Sequence, residues 1–409
     1  MKLNILSFIL LHGILSSCVG QTPLWSNFSF KGEFLAIAPL SDSSFILAGG
    51  GSDWLLVKID KTGSTIWQKN IGTNGNDCVR GIIPDRSGGF MVLGSWEENF
   101  DPPYRAGKSK LAKFDNNGEL IWEKIYSKEN YSYCALDRMI ELKEKGYLLT
   151  GTCNSGKDVS KENMNYDAWI VRVDENGEIL WEKTIAGPNS DGMDDIIQLK
   201  NGQLLLSGFS FMPDKEAEDE QNCQIMLIQL DTDGTIIGSK TIGGIGFEVA
   251  DKIFPTPDGG FLLCGTTDSP DFGKPKSQSY EEDEDGEMYL DEDIFVCKVN
   301  KNLRLEWVKR YGGTDGDSLN DCVATNKGLA ILGYSTSGDG DFAKSQLAVY
   351  LVFEVNWNGK IKWANTFDRA YISAVYKIGK INDEDFILTG QKEKTSGVFA
   401  FRKKGKTKK

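Results

Sequence analysis

Asp60-Lys61-Thr62-Gly63-Ser64-Thr65-Ile66-Trp67 is one copy of an Asp-x-x-Gly-x-x-x-Trp unit that returns along the chain. It recurs at Asp115/Gly118/Trp122 and Asp174/Gly177/Trp181, at Asp231/Gly234 with Gly238 in the Trp position, at Asn300/Trp307 with Leu303 in the Gly position, and at Asn356/Gly359/Trp363. Successive Trp positions lie 55, 59, 57, 69 and 56 residues apart, a self-similarity that marks an array of one supersecondary unit. The Asp can cap a turn with its carboxylate, and the Gly accepts the left-handed backbone that a bulged hairpin needs.

Each repeat surrounds this unit with the same grammar. In the second, a short strand at 78–83 meets a tight turn, Asp85-Arg86-Ser87-Gly88-Gly89, and a second strand follows at 90–94. A variable loop leads to a third strand ending at Phe114-Asp115, a hairpin at Asn116-Asn117-Gly118, and a fourth strand across 121–125. Runs of this length, rich in Val, Ile, Leu, Phe and Trp and bounded by Gly, Asp and Asn, read as strands, and no stretch sustains a helical period. An all-β fold of four-stranded antiparallel blades, a β-propeller, is the expectation.

Two markers count the blades. The strand-turn-strand unit appears seven times, at 35–48, 79–93, 136–150, 196–207, 253–264, 323–332 and 375–388. The fourth-strand Trp position appears six times after the first unit, and the last unit runs out at Phe399-Ala400-Phe401-Arg402. The missing strand lies at the other end of the chain, where 24–30 carries Trp25 at the matching place. A seven-bladed ring across 24–402 is predicted, closed by the N-terminal strand, which removes an exposed sheet edge.

Residues 1–17 read as a removable leader: Lys2 is the positive n-region and 5–15 the apolar h-region, too short to span a membrane. Leu15-Ser16-Ser17-Cys18 resembles the lipobox of bacterial lipoproteins. That resemblance implies Cys18 as a lipidated mature N-terminus with a short tether over 18–23, the alternative being an ordinary signal peptide with a coincident Cys. Acyl chains stabilise membrane attachment by about 0.8 kcal/mol per buried methylene, so two or three chains hold stably. No acid follows Cys18 directly, which favours an outer-membrane, periplasm-facing anchor over a surface-exposed one.

Loss of Lys2 takes the formal net charge from −13 to −14, and loss of His12 leaves no histidine. Histidine-dependent nucleophile activation, His-ligated zinc and His acid/base chemistry are thereby excluded in their usual forms. The acidic balance also argues against a nucleic-acid partner, since only the basic tail at 403–409 opposes phosphate repulsion. Seven further cysteines, Cys78, Cys134, Cys153, Cys223, Cys264, Cys297 and Cys322, show no C-x-x-C spacing and are expected as buried free thiols.

The run Trp54-Leu55-Leu56-Val57-Lys58-Ile59-Asp60 with Gly63 and Trp67, followed by Asp77 and a Gly-Gly-Phe turn, resembles the β-propeller repeat of bacterial secreted proteins and lipoproteins. The Asp-x-x-Gly-x-x-x-Trp core is similar to the tryptophan-docking motif of quinoprotein-type propellers. In plan the chain also looks similar to the propeller lipoprotein of the outer-membrane barrel-assembly machine. The resemblance implies the fold and a structural register for Trp25, Trp67, Trp122, Trp181, Trp307 and Trp363. It implies no cofactor, because the adjacent cysteines of some quinoprotein dehydrogenases are absent. Gly238 and Leu303 depart from the motif, and their effect is expected on packing in the fourth and fifth blades.

The short turns belong to one face of such a ring and the long, dissimilar second-to-third-strand loops to the other. Function on repeat scaffolds usually lives on such loops. Trp96, Tyr104, Arg105, Tyr166, Phe211 and Met212 are the candidate binding residues for a protein or glycan partner. Asp283, Asp285 and Glu287 around Gly286 could hold Ca2+, although the full EF-hand spacing is absent and a solvated acidic run is the alternative. Asp77, Asp137, Asp194, Asp251 and Asp321, where first strands enter the ring, could form a polar rim at the channel or bridge neighbouring blades. No catalytic motif is present. A membrane-anchored binding or scaffold module is the leading expectation, with a glycan-active enzyme using channel-mouth carboxylates as the alternative.

Overall fold

The computed structural model describes residues 23–51, 53–72, 77–96, 108–128, 131, 133–154, 166–187, 189–212, 222–274, 280–282, 288–290, 292–342, 348–367 and 372–403. Seven four-stranded antiparallel sheets surround one axis. The innermost, first strands of blades 1 to 7 are Glu33–Pro39, Cys78–Pro84, Tyr133–Glu141, Asp191–Gln198, Glu248–Pro255, Asp317–Thr325 and Ala374–Lys380. The outermost, fourth strands of blades 1 to 6 are Thr65–Ile71, Leu120–Tyr126, Ile179–Ile185, Ile236–Ile242, Leu305–Tyr311 and Ile361–Phe367. Blade 7 takes its fourth strand from the start of the chain: Trp25–Phe30 pairs with Thr395–Arg402, Trp25 opposite Ala400.

The burial pattern follows from stacking blades face to face. Middle strands such as Trp54–Ile59 are buried at every residue, because both faces of a blade meet a neighbour. Outer strands alternate, as in Leu120–Tyr126. The core is accordingly divided into seven apolar clusters, each spanning one pair of adjacent blades, from blades 1 and 2 round to blades 7 and 1. Each fully buried Leu, Ile or Phe contributes about 1.5–3 kcal/mol, so every interface is a substantial local core.

The Asp-x-x-Gly-x-x-x-Trp unit is a turn and a lock. Asp60 Oδ1 accepts from the backbone N–H of Thr62 at 2.8 Å and of Ser64 at 3.0 Å. Asp115, Asp174 and Asp231 do the same two and four residues on. Asn300 and Asn356 serve equally, because the turn needs only an acceptor oxygen. The turn glycines are left-handed, with φ 84° at Gly63 and 74° at Gly118.

A second reason demands glycine here. A Cβ on Gly118 would stand 2.7 Å from Trp67 of the preceding blade, one on Gly177 2.8 Å from Trp122, and one on Gly234 or Gly359 2.9 Å from Trp181 or Trp307. Trp67, Trp122, Trp181 and Trp307 therefore lie against the next blade's turn, and Trp25 closes the ring on Gly63; Trp363, facing a blade without that turn, packs on Phe386 and donates to Glu354 at 2.7 Å. The two departures fall on the two sides of one such contact. Blade 4 lacks its Trp at Gly238, and blade 5 fills the vacated space with the side chain of Leu303, buried among Ile225, Leu227 and Phe261. Leu303 thus contributes to a closed apolar cluster between blades 4 and 5, the region where the departures were expected to act.

One cysteine expectation is corrected. Cys134 and Cys153 form a disulfide, because they sit directly opposite each other on the first two strands of blade 3. Cross-strand register, which spacing along the chain does not display, brings them together. Cys78, Cys223, Cys264, Cys297 and Cys322 are free thiols, and all but Cys78 are buried.

Candidate functional site

Alternating strand direction gathers the first-to-second and third-to-fourth turns at one end of the ring. The second-to-third loops and the blade-to-blade links gather at the other. In blades 5 and 6 the long-loop end is locked by a feature absent from the sequence reading, a Gly-Gly-x-x-x-acid run. Glu248 accepts from Gly244 N–H at 2.7 Å, and Asp317 from Gly313 N–H at 2.8 Å. The starts of the long loops grip the same links: Asp271, Ser269 and Asp268 accept from Ile245, Gly246 and Phe247 N–H. Asp339 and Ser337 accept from Thr314 and Asp315 N–H. Burial raises the carboxyls of Glu248 and Asp317, the latter to about 6. The repetition of Gly243-Gly244 before Glu248 and Gly312-Gly313 before Asp317 was the signal available in the sequence.

The far end of the fifth loop is fixed by a buried ion pair. Arg310 Nε donates to Asp293 Oδ2 at 2.7 Å, both side chains being essentially inaccessible, and another Arg310 nitrogen donates to Thr267 O at 3.2 Å. The loops of blades 5 and 6 thus spring from hydrogen-bonded bases, the arrangement expected where loops carry binding.

Of the sequence-predicted binding residues, Trp96 is corrected. It is buried, packs edge-on against Trp54 with ring centroids 5.7 Å apart, and lies under the ammonium of Lys110. It belongs to the core between blades 1 and 2. Tyr166 and Phe211 stand on the long-loop end as half-buried residues of strands rather than loops. Met212 ends the strand Leu204–Met212. Tyr104, Arg105, Asp283, Asp285 and Glu287 lie outside the described residues, as does Cys18. The acidic run is flanked by a small hairpin, Tyr280–Glu282 against Met288–Leu290. Among the described residues no cluster of three or more metal-ligating side chains occurs.

Residues that sequence reasoning missed join Tyr166 and Phe211 into an arc. Tyr133 meets Tyr166 edge-on at 6.2 Å. Phe211 lies between Phe209 at 5.7 Å and Phe247 at 6.1 Å. Tyr334 meets Tyr350 at 5.1 Å, and Tyr376 donates its hydroxyl to Glu33 at 3.0 Å. All are half-buried, and all sit at the long-loop ends of the inner strands. They run from blade 3 to blade 7 around the axis. The signal was present as aromatics at the first or last positions of inner strands.

The axis itself is polar. In every blade the first strand breaks register, at Arg80, Asp137 and Asp194 among others, turning side chains toward the centre as bulges do. A cavity of about 210 Å³ is lined by first-strand residues of all seven blades, including Arg80, Asp137, Arg138, Asp195, Lys252, Asp321 and Lys377. The rim at the channel is therefore a ring of both signs, and some of its acids bridge blades, the other reading of these residues. Asp137 pairs with Arg80 at 3.3 Å. Asp321 bridges blades by accepting from Ile378 N–H at 3.1 Å, and Asp195, unsuspected from sequence, accepts from Ile253 N–H at 2.9 Å. Asp77 does not line the cavity; it is buried immediately before the first strand of blade 2, aligned with Asp191, Glu248 and Asp317. Burial and the neighbouring Asp251 raise the Asp194 carboxyl to about 7. Burial likewise raises Asp251 to about 6, against the opposing pull of Arg138, Lys377 and Lys252.

No protein-family model and no curated protein sequence matches the chain. Solved structures do. The WD40 β-propeller domain of Doa1 superposes with a TM-score of 0.52 at 11% identity, covering 93% of this chain and 96% of that one. The fold is that of a β-propeller. The Neurospora crassa Pan2 WD40 domain gives 0.52 at 12% identity over 94% of this chain and 96% of its own. YCF48 bound to D1 peptide gives 0.50 at 8% identity over 94% and 98%. At such identities the likeness carries the propeller's architecture and no activity.

Proposed function

We propose that this propeller is a lipid-anchored binding module of the bacterial cell envelope, tethered to the outer membrane through acylated Cys18 and facing the periplasm. Its long-loop face holds a protein partner. The aromatic arc from Tyr133 to Tyr376 carries the reading: large, half-buried aromatics on rigid strand ends are the residue types that dominate interface energetics. The formal charge of −13 favours a partner segment with basic as well as apolar residues. That the YCF48 structure is of a peptide complex supports peptide capture as a use of this architecture. Leu24, whose N–H donates to Ala400 O at 2.7 Å, enters the ring at the Asp-x-x-Gly end, so a tether upstream leaves the long-loop face directed away from the membrane. The glycan-active alternative rests on axial carboxylates that are interleaved with cations.

A photocrosslinking amino acid placed at Phe211 or Tyr350 of the membrane-tethered chain should give one discrete protein adduct. The same probe at Asn117, on the turn face, should give none. Adducts only from the turn face would overturn the reading of the binding face. Cys18→Ala should move the protein from the membrane to the soluble fraction; persistence at the membrane would remove the anchor.

A further inference from the structure

Lys252 and Lys377 both line the axial cavity. Among the described residues neither ammonium makes a hydrogen bond or an ion pair within 4.0 Å. Asp195 and Asp321 line the same cavity, and one oxygen of each is committed to a backbone N–H of the following blade, Ile253 or Ile378. Their second oxygens have no partner among the described residues. Groups of both signs, half enclosed by protein, thus keep bonding capacity directed at one space. Asp195 and Asp321 support Lys252 at a distance, and Asp321 supports Lys377, so the ring balances its charges while leaving direct hydrogen-bonding positions to a solute.

The space is small. About 210 Å³ equals roughly seven water volumes at about 30 Å³ each, enough for a compact solute and below the range of drug-sized pockets. A solute bearing only negative charge would satisfy the lysines while pressing against two carboxylates, and one bearing only positive charge would do the reverse. A solute bearing both can set a carboxylate against the cations and an ammonium against the carboxylates of this mixed ring.

We propose that the axial cavity is a binding site for a small zwitterion of the α-amino acid class, its carboxylate toward Lys252 and Lys377 and its ammonium toward Asp195 and Asp321. The two lysines differ in protonation. Lys252 loses charge stability to burial but more than regains it from Asp195 and Asp321, so its pKa is raised. Lys377 is supported by Asp321, yet burial, Lys252 and Arg138 outweigh that support and pull it down; a ligand carboxylate would restore it. The site uses first-strand residues only and is independent of partner capture on the aromatic arc.

The test is calorimetric titration of the full mature chain, in detergent with its anchor, with glycine, L-glutamate and L-lysine at neutral pH. Acetate and ethylammonium serve as single-charge controls. At least one amino acid should bind saturably, tenfold or more tighter than either control. Lys377→Met, which keeps the aliphatic stem, and Asp321→Asn, which keeps the acceptor for Ile378, should each weaken binding at least tenfold while still melting cooperatively. Acetate binding as tightly as the amino acids, no binding by any amino acid, or undiminished binding in either folded variant would overturn the proposal.

Discussion

Leu303 occupies a left-handed turn position, φ 58°, where every other copy of the motif has glycine. For an L-residue that conformation costs about 1–2 kcal/mol, which burying a leucine side chain offsets at about 1.5–3 kcal/mol. The exchange works only because Gly238 leaves the space open; a Cβ on Gly238 would meet nothing closer than the Gln229 side chain at 3.8 Å. Gly238→Trp alone should therefore destabilise by about 1–3 kcal/mol through overpacking against Leu303. Leu303→Gly alone should cost a similar amount through the cavity it leaves. The double variant, which restores the motif of the other blades, should recover most of both losses in urea unfolding, and additive losses would refute the pairing. Both positions were legible as exceptions in the sequence. Their mutual compensation was not, because they lie 65 residues apart and meet only when blade 4 packs on blade 5.

Among the elements, the strands and their turns were readable from alternation, Gly-Gly turns and Asp-x-x-Gly hairpins, since each of these is a local property of a few residues. What escaped was whatever depends on the neighbour across a strand or a link. Cys134 and Cys153 are 19 residues apart and look like two more buried thiols until register pairs them. Arg310 lies on an outer strand, where a cation reads as solvent-facing, yet the base of the fifth loop covers it and supplies Asp293. Removing one member of a buried pair strands the other charge, at about 3–5 kcal/mol. Arg310→Ala should lose about that much stability in urea unfolding. Arg310→Met combined with Asp293→Leu should lose much less, and equal losses in the two would show that the pair is not the cause.

At the scale of the whole molecule, seven first strands converge and bring together charges that no single blade contains. Asp194 feels Asp251, Asp137 and the Arg138 guanidinium of the adjoining blades and Asp195 beside it on its own strand. Its folded carboxyl keeps a proton up to about pH 7, whereas an unfolded one releases it near 3.8. The native state therefore binds more protons between these values. The associated stability is complete below about pH 4 and is lost as pH rises toward 7. Asp194→Asn should remove this dependence, stabilising the protein at pH 8 relative to wild type by on the order of 1–3 kcal/mol after allowance for screening by channel water. Urea unfolding at pH 5 and pH 8 checks it: an unchanged pH difference in the variant would place the titration elsewhere.

By itself the sequence determined the strand repeat, the count of seven and the closure of the last blade by the first strand. Each follows from periodic residues whose conformational demands are local. Only the tertiary structure decided that Trp96 is core, that Leu303 answers Gly238, that two cysteines are bonded and that the axis is a ring of both charges. These depend on contacts between blades, which chain spacing leaves open. The Asp-x-x-Gly-x-x-x-Trp stretch joins the two levels, its carboxylate closing a turn within one blade and its indole covering the glycine of the next.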